Sequence, residues 1–282
     1  MQVFVTPDTM RAWSHDRRTA GERVAVVPTM GALHNGHMEL IAEARRLADR
    51  VIVTIFVNPL QFNQSNDFDS YPRPIDDDLS ACELAQVDAV YAPTASTMYS
   101  SEFQTHVEPG DLAGRLEGPM RPGHFRGVTT VVTKLMAATA PAVALFGQKD
   151  FQQLAIIRRM VVDLDLGIEV VGVPIVREAD GLAMSSRNVH LTSEDRDAAA
   201  VLSRALSACE DAHAGGESAP DALVTVIADV IEAEPRASLE YVELVDATTL
   251  RPIERVDSAA VVLLAAWFGD VRLIDNRVLS DD

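Results

Sequence analysis

Cysteine, lysine and long apolar runs are all scarce in this 282-residue sequence. The two cysteines, Cys82 and Cys209, stand far apart and in no metal-type spacing. That argues against a disulfide framework and fits a reducing, cytoplasmic setting. The longest clean apolar run, Ala259 to Phe268, is too short to span a bilayer, and Val131 to Phe146 is interrupted by Lys134 and Pro141. No membrane partner is expected. The opening MQVFVTPDTMRAW lacks a basic stretch followed by an apolar one, so no signal peptide is expected. Positive charge is short as well: 24 basic residues against 42 acidic ones leave a formal charge of −18, a surface that repels nucleic acid. Only two of those basic residues are lysines, Lys134 and Lys149. A lysine kept in such a background suits a task that needs a compact charge on a flexible stem. The P-loop pattern G-x-x-x-x-G-K-[ST] is missing, which disfavours γ-phosphate transfer. What is present is an ordinary globular composition, 48% hydrophobic, with no internal repeat.

Short β-branched runs read as buried strands at Val24–Val27, Val51–Val57, Ala89–Tyr91, Val143–Phe146 and Glu169–Val173. Helical spacing of apolar residues falls between some of them, over Glu39 to Ala48 and Phe151 to Leu164. Strand–helix–strand alternation predicts an α/β fold on a parallel sheet. The pattern changes after about Asn188. Two helices, Asp195 to Ala212 and Pro220 to Ala233, precede strands near Leu239–Val245, Val261–Ala265 and Val271–Ile274 that suit a small antiparallel sheet. The expected division is residues 1–176 and a smaller α+β domain over 177–282.

Ligands of open α/β sheets sit at the carboxyl ends of strands. The first strand runs into Pro28-Thr29-Met30-Gly31-Ala32-Leu33-His34-Asn35-Gly36-His37 and then a helix. Three residues apart at a helix start, His34 and His37 share a face; they read either as surface histidines of a capped helix or, with the free N–H groups there, as a phosphate site. Gly31 and Gly36 remove side chains where a base or a phosphate must come close. Without further Cys or His nearby, a metal site at the histidines is not expected. The next strand ends in Asn58-Pro59-Leu60-Gln61, where Gln61 offers a donor and an acceptor. The triplet Asp76-Asp77-Asp78 reads as an acidic first turn of a helix or as a contribution to Mg²⁺ near phosphates. Arg115 to Lys134 is basic and rich in Gly, and reads as a loop, either solvated or a lid over an anion. Phe146-Gly147-Gln148-Lys149-Asp150 puts Lys149 at a strand-to-helix junction, where it can offset phosphate charge. Met184-Ser185-Ser186-Arg187 supplies two hydroxyls and a bidentate cation.

The H-x-G-H and M-S-S-R pair resembles the HIGH and KMSKS motifs of the nucleotidylyltransferase superfamily. The ordered set PTMGALHNGH, IFVNPLQF, YPRPIDDDL, RPGHFRGV, FGQKDFQQ and READGLAMSSRN is sharper. It resembles the pantothenate synthetase family over about residues 23–190. Leu60, Asn63 and Gln148 are small departures from the family pattern. The resemblance implies a Rossmann-like N-terminal domain, a C-terminal domain closing over the site, and a homodimer. It implies ATP contacts from Met30, Gly31, Ala32, Leu33, His34, Asn35, Gly36 and His37, from Gly147, Gln148, Lys149 and Asp150, and from Val176, Met184, Ser185, Ser186 and Arg187. It implies pantoate on Gln61 and Gln153 with β-alanine beside Gln61, and His37 as the catalytic histidine. The chemistry implied is attack by pantoate on the α-phosphorus of ATP, then capture of the acyl-adenylate by β-alanine. His34, His37, Lys149, Ser185, Ser186 and Arg187 are the residues expected to assist it, with Asp77 the candidate for Mg²⁺.

Overall fold

The computed structural model describes residues 1–62, 68, 69 and 71–279; Asn63 lies outside the described residues. The chain divides into two compact units. One comprises Met1–Gln148 and Gln152–Pro174, the other Lys149–Phe151 and Ile175–Asp282.

The first unit carries β1 (Gln2–Phe4), α1 (Pro7–Thr19), β2 (Val24–Thr29), α2 (Asn35–Leu47), β3 (Arg50–Ile55), α3 (Ile75–Leu84), β4 (Ala89–Tyr91), α4 (Ala95–Met98), α5 (Glu117–Met120), α6 (His124–Thr139), β5 (Val143–Gly147), α7 (Phe151–Asp163) and β6 (Glu169–Val173). The six strands form one sheet in the order β1-β4-β3-β2-β5-β6, all parallel. Alternation along a strand decides what each helix covers. Val24, Val26 and Ile52 pack into one apolar cluster with Val128, Val131, Val132 and Leu135 of α6. Ala25, Val27, Val51 and Val53 pack on the other side with Leu40, Ile41 and Ala44 of α2. Burial on both faces explains why these strands read as continuous apolar runs. From β2 the chain steps to β3 and β4 in one direction, while β5 and β6 extend the sheet in the other. The order therefore reverses between β2 and β5, the place where an open α/β sheet leaves a crevice.

Several elements of this unit differ from expectation, the helix α1 among them. The edge strand β1 pairs only with β4, and three residues with Val3 exposed are too few to give a periodic signal. The stretch expected as a basic loop becomes helix from His124 onward, and most of α6 is buried. Gly127 serves close packing there: a Cβ would stand 2.3 Å from the carbonyl oxygen of Leu60. Gly123 sits at φ +81 and ends the preceding turn.

The second unit contains a 3₁₀ turn (Ser186–His190), α8 (Ser193–Ala199), α9 (Val201–Ala214), α10 (Pro220–Glu232), β7 (Ala237–Asp246), β8 (Ala260–Phe268) and β9 (Val271–Leu279). The strands form the expected antiparallel sheet, in the order β7-β8-β9. Leu202, Leu206, Leu223, Ile227 and Ile231 of α9 and α10 pack with Val262, Leu264 and Phe268 of β8. The single helix expected from Asp195 is two, interrupted at Ala200, and it starts earlier because Thr192 caps the Asp195 N–H at 3.2 Å. The strands also run longer than their apolar cores, since ladder bonds carry polar residues such as Asp275 and Asn276.

Candidate functional site

Beyond β2 the chain turns sharply. The Thr29 hydroxyl donates to the Thr54 carbonyl at 2.7 Å and accepts from the Gly31 N–H at 3.1 Å. Gly31 and Ala32 then adopt positive φ, +84 and +51. At Gly31 a Cβ would come within 2.8 Å of the Asp78 carboxylate, so only glycine fits. Asp78, buried in the first turn of α3, accepts from the N–H of Ala32 at 2.9 Å and of Leu33 at 2.7 Å. It clamps the motif loop from behind. Asp77 is exposed in the same turn, and no group of three or more His, Cys, Asp or Glu among the described residues could hold a metal. Sequence reasoning passed over Asp78 for its neighbour. The available signal was that Asp78 and the buried Cys82 lie four apart, on one helix face.

The two histidines cap α2 themselves. His34 Nδ1 accepts from the Gly36 N–H at 3.1 Å, and His37 Nδ1 accepts from the His34 N–H at 3.2 Å. A backbone N–H can only donate, so each Nδ1 is unprotonated and each neutral ring carries its proton on Nε2. The rings lie 4.2 Å apart. Gly36 is required by this fold-back, since a Cβ would stand 2.9 Å from His34 Cε1. Burial, and secondarily the proximity of His34, pushes the His37 imidazole down to about 3. At neutral pH His37 is therefore neutral and carries an Nε2–H donor at a helix N-terminus.

Gln61 is buried in a 3₁₀ turn (Pro59–Gln61) after β3. Its Oε1 accepts from Asn58 Nδ2 at 3.0 Å, which leaves Nε2 as the outward donor, resting 3.1 Å from Met30 Sδ. Asn58, a residue the sequence reading did not single out, is itself fixed by the Tyr99 hydroxyl at 2.8 Å and the Gly127 carbonyl at 3.1 Å. His124 Nδ1 donates to the Gln61 carbonyl at 2.8 Å.

The paired glutamines at the start of α7 separate cleanly. Gln152 is buried and fully used: its Oε1 accepts from the Glu117 N–H at 3.0 Å, and its Nε2 donates to the carbonyls of Leu112 and Arg115 at 2.7 and 2.8 Å. Gln153 is half-buried. Gly147 ends β5 with open space where a Cβ would be.

In the second unit, Arg177 and Ala183 pair across a turn, and the Met184 N–H donates to the Val176 carbonyl at 2.9 Å. Ser185 caps the following 3₁₀ turn through its hydroxyl, 3.2 Å from the Arg187 N–H. Ser186 is half-buried and Arg187 exposed. Lys149, half-buried with Gln148 and Asp150 in its own 3₁₀ turn, forms no ion pair with any described residue. Met30, Gly31, His34, His37 and Gln61 thus gather in one unit, and Val176, Met184, Ser185, Ser186 and Arg187 in the other.

The pantoate–β-alanine ligase family model matches residues 2–278. The chain belongs to the pantoate–β-alanine ligase family. The pantothenate synthetase of Heliobacterium modesticaldum is 51% identical over 280 residues, 99% of this chain and 100% of that one. That of Geotalea daltonii is 48% identical over the whole of both chains. Among solved structures, the pantothenate synthetase of Thermus thermophilus superposes with a TM-score of 0.92 at 41% identity, covering 98% of this chain and 99% of that one. The ligase of Francisella tularensis, complexed with β-γ ATP and β-alanine, gives 0.80 at 33% identity, with 99% and 97% covered. The family and fold class expected from the sequence are both borne out. No helix among the described residues is long and apolar enough to cross a membrane.

Proposed function

We propose that the ligase reaction of this chain runs in two steps. The chain is an ATP-dependent ligase that condenses pantoate with β-alanine to pantothenate, the function its family carries. In the first step a pantoate carboxylate oxygen attacks the α-phosphorus of ATP, and the bond to the bridging oxygen breaks to release pyrophosphate. In the second the β-alanine amine attacks the acyl carbon of the adenylate, loses a proton, and AMP departs.

The observation that carries this reading is the neutral His37, its Nε2–H donor held on the α2 N-terminus. Donors fixed before the reaction stabilise charge growing on phosphate without reorganising. Met30, Gly31, Ala32, Leu33, Asn35 and Gly36 complete that cradle around His34 and His37. Gly147, Gln148, Lys149, Asp150 and Val176 are assigned to ATP, with Lys149 supplying a mobile cation. Met184, Ser185, Ser186 and Arg187 are assigned to ATP as well. Gln61 is assigned to pantoate because, among the described residues, its donor faces a thioether sulfur, a weak acceptor that a substrate oxygen readily replaces. Gln153 joins it because its amide makes no bond with any described residue.

Mg²⁺ keeps several of its waters and binds through one or two carboxylates together with substrate phosphates. Asp77 is the one carboxylate assigned to it, and the bound ion would neutralise phosphate charge. A homodimer in the cytoplasm completes the proposal; two buried, unpaired cysteines support a reducing compartment. The test is isotope exchange: labelled pyrophosphate should enter ATP with pantoate alone, before β-alanine is added. ADP as product, or exchange that needs β-alanine, would overturn the two-step scheme. Light scattering of the purified protein tests the dimer.

A further inference from the structure

Two adjacent polar residues of β9, Asp275 and Asn276, are buried in the antiparallel sheet of the second unit. The Asp275 carboxylate takes Arg177 in a bidentate pair, at 2.7 Å to Nη1 and 3.0 Å to Nη2. It also accepts from the Asn276 N–H at 2.8 Å. Arg177 Nη1 donates in addition to the Gly181 carbonyl at 2.9 Å, so the guanidinium straps the turn that it opens. That turn leads into Met184, Ser185 and Arg187 and is locked beneath by glycine: at Gly181, φ +93, a Cβ would lie 2.6 Å from Ser203 Oγ. Asn276 has a different partner. Its Nδ2 donates to the main-chain carbonyl of Lys149 at 2.9 Å.

Neighbouring residues on a strand point to opposite faces, which is how one pair reaches two segments. Both of those segments are assigned to phosphate. A buried ion pair is weak support for stability, since apolar residues of similar volume often do as well. What it does supply is a directional hold on the groups it touches. Catalysis depends on such a hold, because a misplacement of about 1 Å can lower a rate about a hundredfold.

We propose that Asp275 and Asn276 are positioning residues for adenylate formation, holding the Lys149 turn and the Met184–Arg187 loop in fixed register from β9. Neither touches the reacting atoms. The proposal rests on the reading above, in which Lys149 and the Ser185–Arg187 clasp act on the phosphates of ATP.

The experiment is pyrophosphate exchange with pantoate in the full-length protein, each variant accompanied by a melting curve. Asn276→Ala should lower the exchange kcat by about 10- to 100-fold. Its KM for pantoate should stay within about twofold, since ground-state binding of that substrate is untouched. Asp275→Asn should act in the same direction. Arg277→Gln is the control: Arg277 follows Asn276 on β9 but pairs with Glu210, and its loss should leave exchange unchanged. Lys149→Ala is the reference. Wild-type exchange in Asn276→Ala beside a crippled Lys149→Ala would overturn the positioning role alone. Near-normal exchange in Lys149→Ala would overturn the reading of Lys149 and this proposal with it. Equal losses in Arg277→Gln and Asn276→Ala would show a general sensitivity of β9 and overturn it too. Should Asn276→Ala not melt cooperatively, Asn276→Asp, alike in size but unable to donate, takes its place. Failure of both to fold would make the pair structural and end the proposal.

Discussion

Replacing Asp78 by Asn tests how the motif loop is held. The carboxylate is 2% exposed and accepts two backbone N–H groups, from Ala32 at 2.9 Å and Leu33 at 2.7 Å. Hydrogen bonds to a charged group contribute about 1.5–3 kcal/mol each. The amide keeps one acceptor oxygen and turns its NH₂ toward the other N–H, so one bond is lost and a buried donor is stranded. A destabilisation of about 2–4 kcal/mol follows. For a unit of this size that lowers Tm by about 5–12 °C. The loss also frees a turn that positive φ at Ala32 already strains, so pyrophosphate exchange should fall alongside stability. Asp77→Asn is the internal control. Its exposed carboxylate should change stability by less than about 0.5 kcal/mol, and the variant should instead require more Mg²⁺. Melting of Asp78→Asn at the wild-type temperature would refute the clamp, and so would an equal loss in Asp77→Asn.

Gln61→Ala and Gln153→Ala should raise the KM for pantoate by the equivalent of about 1–3 kcal/mol and leave the KM for ATP nearly alone; steady-state kinetics with each substrate varied would reject the assignment if both rose together. Gln152→Ala should act differently, lowering Tm because its amide closes three backbone bonds in the Leu112–Glu117 segment. Lys149→Ala should slow single-turnover adenylate formation by about 10²–10³ with an unchanged melting curve, and Lys149→Arg should rescue it poorly. The folded His37 value, about 3, lies below the ordinary 6.5, so the unfolded chain takes up a proton first as pH falls. The contribution of neutral, buried His37 to stability is thus complete above pH 6.5 and declines from 6.5 toward 3. His37→Asn should therefore flatten the acid limb of the stability profile, and an acid limb of identical slope in the variant would contradict the burial argument.

By itself the sequence determined the α/β class and the family, and it marked the short segments to which the chemistry is assigned. Those are local matters: β-branched runs buried on both sheet faces, and motifs whose residues sit within one strand-to-helix turn. Tertiary structure decided which residues in a motif are spent on the fold. Gln152 and Gln153 are identical in the sequence, yet only the first meets the backbone of Leu112, Arg115 and Glu117. Asp77 and Asp78 differ in the same way, by which face of α3 packs against the loop. Gly127 looks like a flexible loop residue until α6 lies against Leu60. Asp275 and Asn276 break an apolar strand pattern, and their partners stand about a hundred or more residues away in the chain. Hydrogen bonds and close packing form between groups adjacent in space, and spacing along a chain reports that adjacency only within a single helix or strand.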